Sequence, residues 1–236
     1  MCTLSFVPLK NGYVLTSNRD ENLSRPHKIL DKSLFKGKID LYGHVDNSIG
    51  GGTSIATDKK GRSVCLLNGA YQKHKSQSSY KRNRGQLVLN AFEYSDFKYF
   101  TEKIFLKNIE PFTMLLAAPK QLQILVWDGY KKIDVRLSMA VPYLWSSSTQ
   151  YSKEEHILKE DYFLQNIRLA KNSPNEVLEI HGKNEQTPLR INHNKLRTTS
   201  ITQIVHHKGK STIAYFIKDE TDKTHEVTNR TPLICY

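Results

Sequence analysis

The sequence predicts an α+β protein built on antiparallel sheets. Three observations carry this. Apolar stretches of strand length come in adjacent pairs around turn residues such as Asn11-Gly12 and Lys208-Gly209. The helical patterns fall in two blocks instead of alternating one-for-one with strands. A chain of 236 residues with 38% hydrophobic content is long and apolar enough to bury a core. No internal repeat, low-complexity tract or linker divides it, so residues 1–236 read as one domain.

Residues 2–9 are strand-like, and Asn-Gly between two apolar runs is the strongest short hairpin signal. Tyr13–Ser17 is the return strand. A two-residue Asn11-Gly12 turn sets Lys10 opposite Tyr13 and Cys2 opposite Glu21. Cys2, Leu4, Arg19 and Glu21 then share one face, and Thr3, Asn18 and Asp20 the other. A three-residue turn with a bulge slides the pairing by one and sets Asp20 opposite Cys2.

Residues 22–48 are polar and irregular, broken at Arg25-Pro26. Gly50-Gly51-Gly52 permits positive φ and close backbone approach before Thr53. Ser54–Thr57 and Ser63–Leu67 form a strand pair, and Gly85–Phe92 and Tyr94–Phe105 are helical. Phe112–Ala118 and Leu122–Trp127 pair across Pro119-Lys120, and Asp128-Gly129 turns the chain into Ile133–Leu137. After the aromatic and hydroxyl-rich Tyr143–Thr149, Ser152 and Glu155 form a capping box. Ile157, Leu158, Phe163, Leu164 and Ile167 give that helix an apolar face through Ala170. Pro174 starts a helix to Ile180, and Thr198–Val205 pairs with Thr212–Ile217.

The net charge is +12, from 35 basic and 23 acidic residues. Such a balance suits nucleic acid, an acidic surface or an anionic substrate. Acidic residues are interspersed throughout, so a nucleic-acid stripe is not expected; the densest basic stretch, His74 to Arg84, reads as a polar loop. No apolar run approaches the roughly 20 residues of a membrane span. Three widely spaced cysteines without a secretory signal fit a reducing, cytoplasmic location. No cofactor is expected: there is no zinc spacing, phosphate loop or dinucleotide fingerprint. His206-His207 on a strand point to opposite faces and make a poor chelate. Cys65 reads as a core thiol, while Cys235, His27 and His44 have no recognisable partner.

Cys2 carries the chemistry. If Met1 is removed, its thiol lies beside a free α-amine, whose reference pKa of about 8 lets it accept a proton near neutrality. Either hairpin register brings a carboxylate and a guanidinium to the terminus. A carboxylate holds the amine, and an Arg stabilises the thiolate.

Met1-Cys2, Asn18-Arg19-Asp20-Glu21 with Arg25-Pro26, Gly51-Gly52-Thr53, Leu67-Asn68 and Arg84-Gly85 together resemble the NRDE family, the transport-and-Golgi-organisation type 2 family. Thr199–Ile204 matches more loosely. The resemblance implies a four-layer αββα sandwich of the N-terminal-nucleophile (Ntn) hydrolases, akin to choloylglycine hydrolases and penicillin V acylases. It implies Cys2 as nucleophile, Arg19 supporting the thiolate, Asp20 orienting the amine and Asn68 as an oxyanion donor. Arg84, Trp145, Ser146 and Ser147 fall on the substrate side. Two departures stand out. Arg19 and Asp20 are adjacent where the acylases separate the pair by two residues, and Ser146-Ser147-Ser148 stands where relatives often carry an Asn. The expected activity is hydrolysis or acyl transfer at a non-peptide amide of a small, anionic substrate. The alternative is haem or lipid handling, or trafficking, on the same fold.

Overall fold

The computed structural model describes residues 2–22, 41–43, 52–74, 80, 82–149, 151–170, 173–193, 196–218 and 223–226, with Cys2, Leu41–Gly43 and His193 described in backbone only. Arg25-Pro26, Gly50-Gly51, His27, His44, most of the 74–84 basic stretch and Cys235 lie outside these residues.

Among the described residues the strands form two antiparallel sheets. The first contains β1 (Cys2–Leu9), β2 (Gly12–Asn22), β9 (Tyr143–Ser146), β10 (Asn192–His193), β11 (Leu196–His207), β12 (Lys210–Lys218) and β13 (Thr224–Glu226). Its order is β13-β12-β11-β2-β1-β9, with β10 paired to β11. The second runs in chain order: β3 (Leu41–Gly43), β4 (Ile55–Asp58), β5 (Ser63–Asn68), β6 (Phe112–Ala118), β7 (Gln121–Trp127) and β8 (Lys132–Arg136). Helices α1 (Arg84–Asn90) and α2 (Phe97–Lys103) cover the second sheet, and α3 (Lys153–Leu169) and α4 (Pro174–Ile180) cover the first.

Alternation along each strand builds the layers. Leu4, Phe6, Tyr13 and Leu15 meet Cys65, Leu67, Leu115 and Ala117 between the sheets. Val7 and Val14, one position off, meet Phe163, Ile167 and Val177 of the helices. Val64, Leu66, Met114 and Leu116 meet Leu87, Val88 and Phe100 on the far side. The result is the expected αββα sandwich, and Cys65 is a core residue, as its apolar strand suggested.

Two sequence expectations are corrected. The first hairpin pairs Leu9 with Gly12 and Cys2 with Arg19, so neither anticipated register forms. Lys10-Asn11 is the connection, and Gly12 belongs to the strand. A Cβ on Gly12 would lie 1.8 Å from the His206 carbonyl oxygen of β11, so this glycine serves a neighbour's close approach. The pairing differs by two residues from the Asn11-Gly12 turn, and a shift of two preserves every face. Leu4, Arg19 and Glu21 keep their common side for that reason. The second correction is the face of α3. Its buried residues are Lys159, Phe163 and Ile167, while Ile157 and Leu158 are half exposed. The capping box at Ser152 and Glu155 forms as read.

Candidate active site

Four strand ends converge where β1 begins. Cys2 is in register with Arg19 of β2. On its other edge β1 pairs with β9, setting Thr3 opposite Ser146 and Leu4 opposite Trp145. Ser147 follows directly, is buried, and its Oγ donates to the Asn68 carbonyl at 2.7 Å. That bond ties the end of β9 in one sheet to the end of β5 in the other. Gly69 completes the junction at φ +83°, and a Cβ there would lie 2.5 Å from Ser148 Oγ. Cys2, Arg19, Asp20, Asn68, Ser146 and Ser147 are therefore brought to one end of the sandwich. Trp145 stacks on Tyr143, ring centroids 5.3 Å apart, against the core between the sheets.

Arg19 and Asp20 stay on opposite faces, as alternation demands. Arg19 pairs with Glu21 at 3.4 Å, and its Nη1 donates to Thr199 Oγ1 at 3.4 Å. The irregularity lies in the partner strand: β11 bulges between Thr198 and Ser200, opposite Arg19 and Asp20. The bulge frees Thr199 to donate to the Arg19 carbonyl at 3.1 Å.

Asp20 is fully buried on the helix-facing side. Tyr151 Oη donates to its Oδ2 at 2.5 Å, and Thr198 Oγ1 to its Oδ1 at 2.6 Å. The Ile191 amide in turn donates to Thr198 Oγ1 at 2.9 Å. Burial pushes the Asp20 carboxyl above its usual range, while the two hydroxyls and the Lys159 charge pull the other way. Lys159 Nζ donates to Thr3 Oγ1 at 3.2 Å and sits 4.0 Å from the Tyr151 ring centroid. Burial lowers this ammonium to about 8, against the opposing pull of Asp20 and Glu155. Ser146 Oγ and His156 Nδ1 lie 2.7 Å apart beside it.

A second polar network lies deeper under the same face. Asn18 Nδ2 donates to the carbonyls of His181 and Leu189, both at 3.0 Å. Its Oδ1 therefore accepts from His181 Nδ1 at 2.7 Å, which leaves Nε2 to accept from Ser5 Oγ, also at 2.7 Å. The order resembles a hydrolytic Ser-His-Asn relay, but every member is fully buried and saturated. Its role is to lock α4 onto the sheet.

Arg84 is held by Glu110 at 2.8 Å and donates to the Pro111 carbonyl at 2.9 Å. The same carbonyl accepts from the Gly69 amide at 3.0 Å, so Arg84 stands one peptide group from the Asn68-Gly69 turn. The loop beyond Gly69 borders a cavity of about 220 Å³ with Tyr71, Lys73, His74, Pro111 and Tyr130 in its walls.

Sequence reasoning missed Tyr151, Lys159, Thr198 and His156. Lys159 had a signal, because it stands four residues before Phe163 and eight before Ile167. Tyr151 precedes the cap and carries no periodic mark. Among the described residues no group of three or more His, Cys, Asp or Glu is arranged to hold a metal ion. No described helix is long and apolar enough to cross a membrane.

The sandwich and its solved relatives define the class. The chain resembles a mutant of conjugated bile acid hydrolase from Clostridium perfringens at TM-score 0.61 and 12% identity, covering 99% of this chain and 98% of that one. A second variant of the same hydrolase matches at TM-score 0.61 and 11% identity over 100% and 98% of the two chains. Penicillin V acylase from Agrobacterium tumefaciens matches at TM-score 0.57 and 9% identity, over 96% and 86%. At these identities the likeness is one of fold, and the fold is that of the Ntn hydrolases. On this fold, the chain belongs to the Transport and Golgi organisation 2 family, whose profile matches residues 1–229. No curated protein matches it.

Proposed function

We propose that the protein, once Met1 is removed, is a cytoplasmic Cys2-dependent hydrolase or acyltransferase for a non-peptide amide of a small molecule. The observation that carries this reading is the hairpin register. It sets Cys2 against Arg19, with the buried Asp20 next along the strand and Asn68 and Ser147 at the adjoining strand ends. A buried carboxyl held by two hydroxyl donors still has lone pairs for a cation, and a terminal amine is the cation this geometry suits.

The Cys2 amine takes the thiol proton as sulfur attacks the carbonyl. A C–S bond forms and charge collects on oxygen, where the Asn68 amide and backbone N–H groups donate. Collapse breaks the C–N bond, and the protonated amine returns its proton to the leaving nitrogen. Water or an acceptor nucleophile then cleaves the thioester and restores the thiol. The net charge of +12 favours an anionic substrate. An anionic group reaching Arg84 shares it with Glu110. The hydrolase and acylase names of the structural relatives support the reaction class.

The test is a panel of N-acyl amides and β-lactams on wild type and Cys2→Ser, with intact mass reporting Met1. Turnover that vanishes in Cys2→Ser and an acyl adduct on Met1-free wild type are expected. Retained Met1 in active protein, or equal turnover by Cys2→Ser, overturns the reading.

A further inference from the structure

Lys159 is 3% exposed, and lysine is almost never buried to this degree without a partner that needs it. Its helix is already anchored by Phe163 and Ile167. A buried cation costs stability unless its surroundings return the loss. What surrounds it is one row along the helix-facing side of β1 and β2. Thr3, the neighbour of Cys2, accepts from Nζ; the Tyr151 ring lies beneath it; and the Tyr151 hydroxyl donates to Asp20.

We propose that Lys159 is a positioning residue for the Cys2 amine: its ammonium, seated on Thr3 and Tyr151, offsets the hold of the Asp20 carboxylate on the amine's proton. The inference rests on the Cys2 reading above. A carboxylate beside an amine raises the amine's proton affinity, which orients it but spoils it as a base near pH 7. A cation behind the carboxylate offsets that pull on the proton.

The groups that face Lys159 fit this role. Asp20 comes from β2 and Tyr151 from the segment before α3. Glu155 and His156 lie on α3, and His181 caps α4. Glu155 supports the ammonium. Both histidines are pushed below their usual value, by burial first and by Lys159 second, so neither adds a competing charge at pH 7.

The experiment follows acetylation of Cys2 in the full Met1-free chain by 4-nitrophenyl acetate, read by intact mass across pH, with Cys2→Ala as baseline. Lys159→Met is expected to move the rising limb of the rate profile to higher pH by about one unit, roughly tenfold slower on that limb. Above about pH 8 the two profiles converge, because wild-type Lys159 has then lost its own charge. Lys159→Arg is expected to restore the wild-type rising limb. Profiles that fall in parallel at every pH assign Lys159 a purely structural role and overturn the proposal. If Lys159→Met does not melt cooperatively, Lys159→Gln is read by the same criterion. Wild type no faster than Cys2→Ala sinks the Cys2 reading itself. A Cys2-dependent rate with an unshifted Lys159→Met limb sinks this inference alone.

Discussion

The two outer helix layers cover their sheets by different means. Under α1 and α2 the centre of the contact is apolar, with Val64, Leu66, Met114 and Leu116 against Leu87, Val88, Phe92 and Phe100, and the polar groups, Thr101 with Gln123 and Asp134 and Arg62 with Asp58, are paired beside it. Under α3 and α4 an apolar centre at Val7, Val14, Phe163 and Ile167 is flanked by buried polar residues. Thr3, Ser5, Thr16, Asn18 and Asp20 meet Lys159, His181 and Gln203 there. The first layer is dominated by apolar burial. The other accepts the desolvation of charged and polar groups, which apolar packing would avoid. In a sandwich whose two halves have like architecture, that difference is greatest around Asp20 and Lys159, and the proposed chemistry is tested there.

Substitutions on each side should separate stability from chemistry. Phe100→Ala empties the apolar layer and should cost about 3–5 kcal/mol by denaturant melt. Acylation of Cys2 per folded molecule should not change; a specific loss of acylation would mean the apolar layer also shapes the site. Asp20→Asn nearly preserves shape and should lower the acylation rate about a hundredfold, the usual scale for a lost acid–base partner. A rate within error of wild type would erase the distinction between the layers.

His181→Gln probes the deeper network. Burial holds the His181 imidazole down to about 3 from an ordinary 6.5. Between those pH values the unfolded chain binds a proton that the folded chain refuses, so stability falls as pH falls, by about 1.4 kcal/mol per pH unit. The Gln variant should be about 1–3 kcal/mol weaker near pH 7 and should lose this slope, so the two curves approach each other on acidification. Parallel curves from urea melts would show that His181 does not titrate as its burial requires. The smallest effect is expected for Ser147→Ala. It removes one donor to the Asn68 carbonyl and should cost about 1 kcal/mol. A larger loss of acylation than of stability would tie Asn68 placement to that bond.

Local chemistry made much of the fold legible. Paired apolar runs around turn residues named the hairpins, and Ser152 with Glu155 named the start of α3. The register of the first hairpin was not legible, because Gly12 answers to the His206 carbonyl, far along the chain. The face of each residue survived, because the difference was even. The burial of the polar side of β1 and β2 was not legible, for a physical reason. Thr3, Ser5, Thr16, Asn18 and Asp20 alternate as the solvent side of a half-buried sheet would, and only the helices packed over them reveal burial. The NRDE block located Arg19 and Asp20, whereas Tyr151, Thr198 and Lys159 gain meaning only from contact with Asp20.

The position of β1 within its sheet sets a schedule. One edge pairs with β2, which follows after a two-residue connection; the other awaits β9, whose Ser146 faces Thr3. At roughly 5–20 residues per second, a ribosome needs on the order of ten seconds or more to make the intervening chain. For that interval the terminus has one sheet neighbour and no roof from α3, which is made later still. The removal of Met1 that the proposed function requires would therefore have a natural window during synthesis, before Tyr151 and Lys159 exist to enclose what it uncovers.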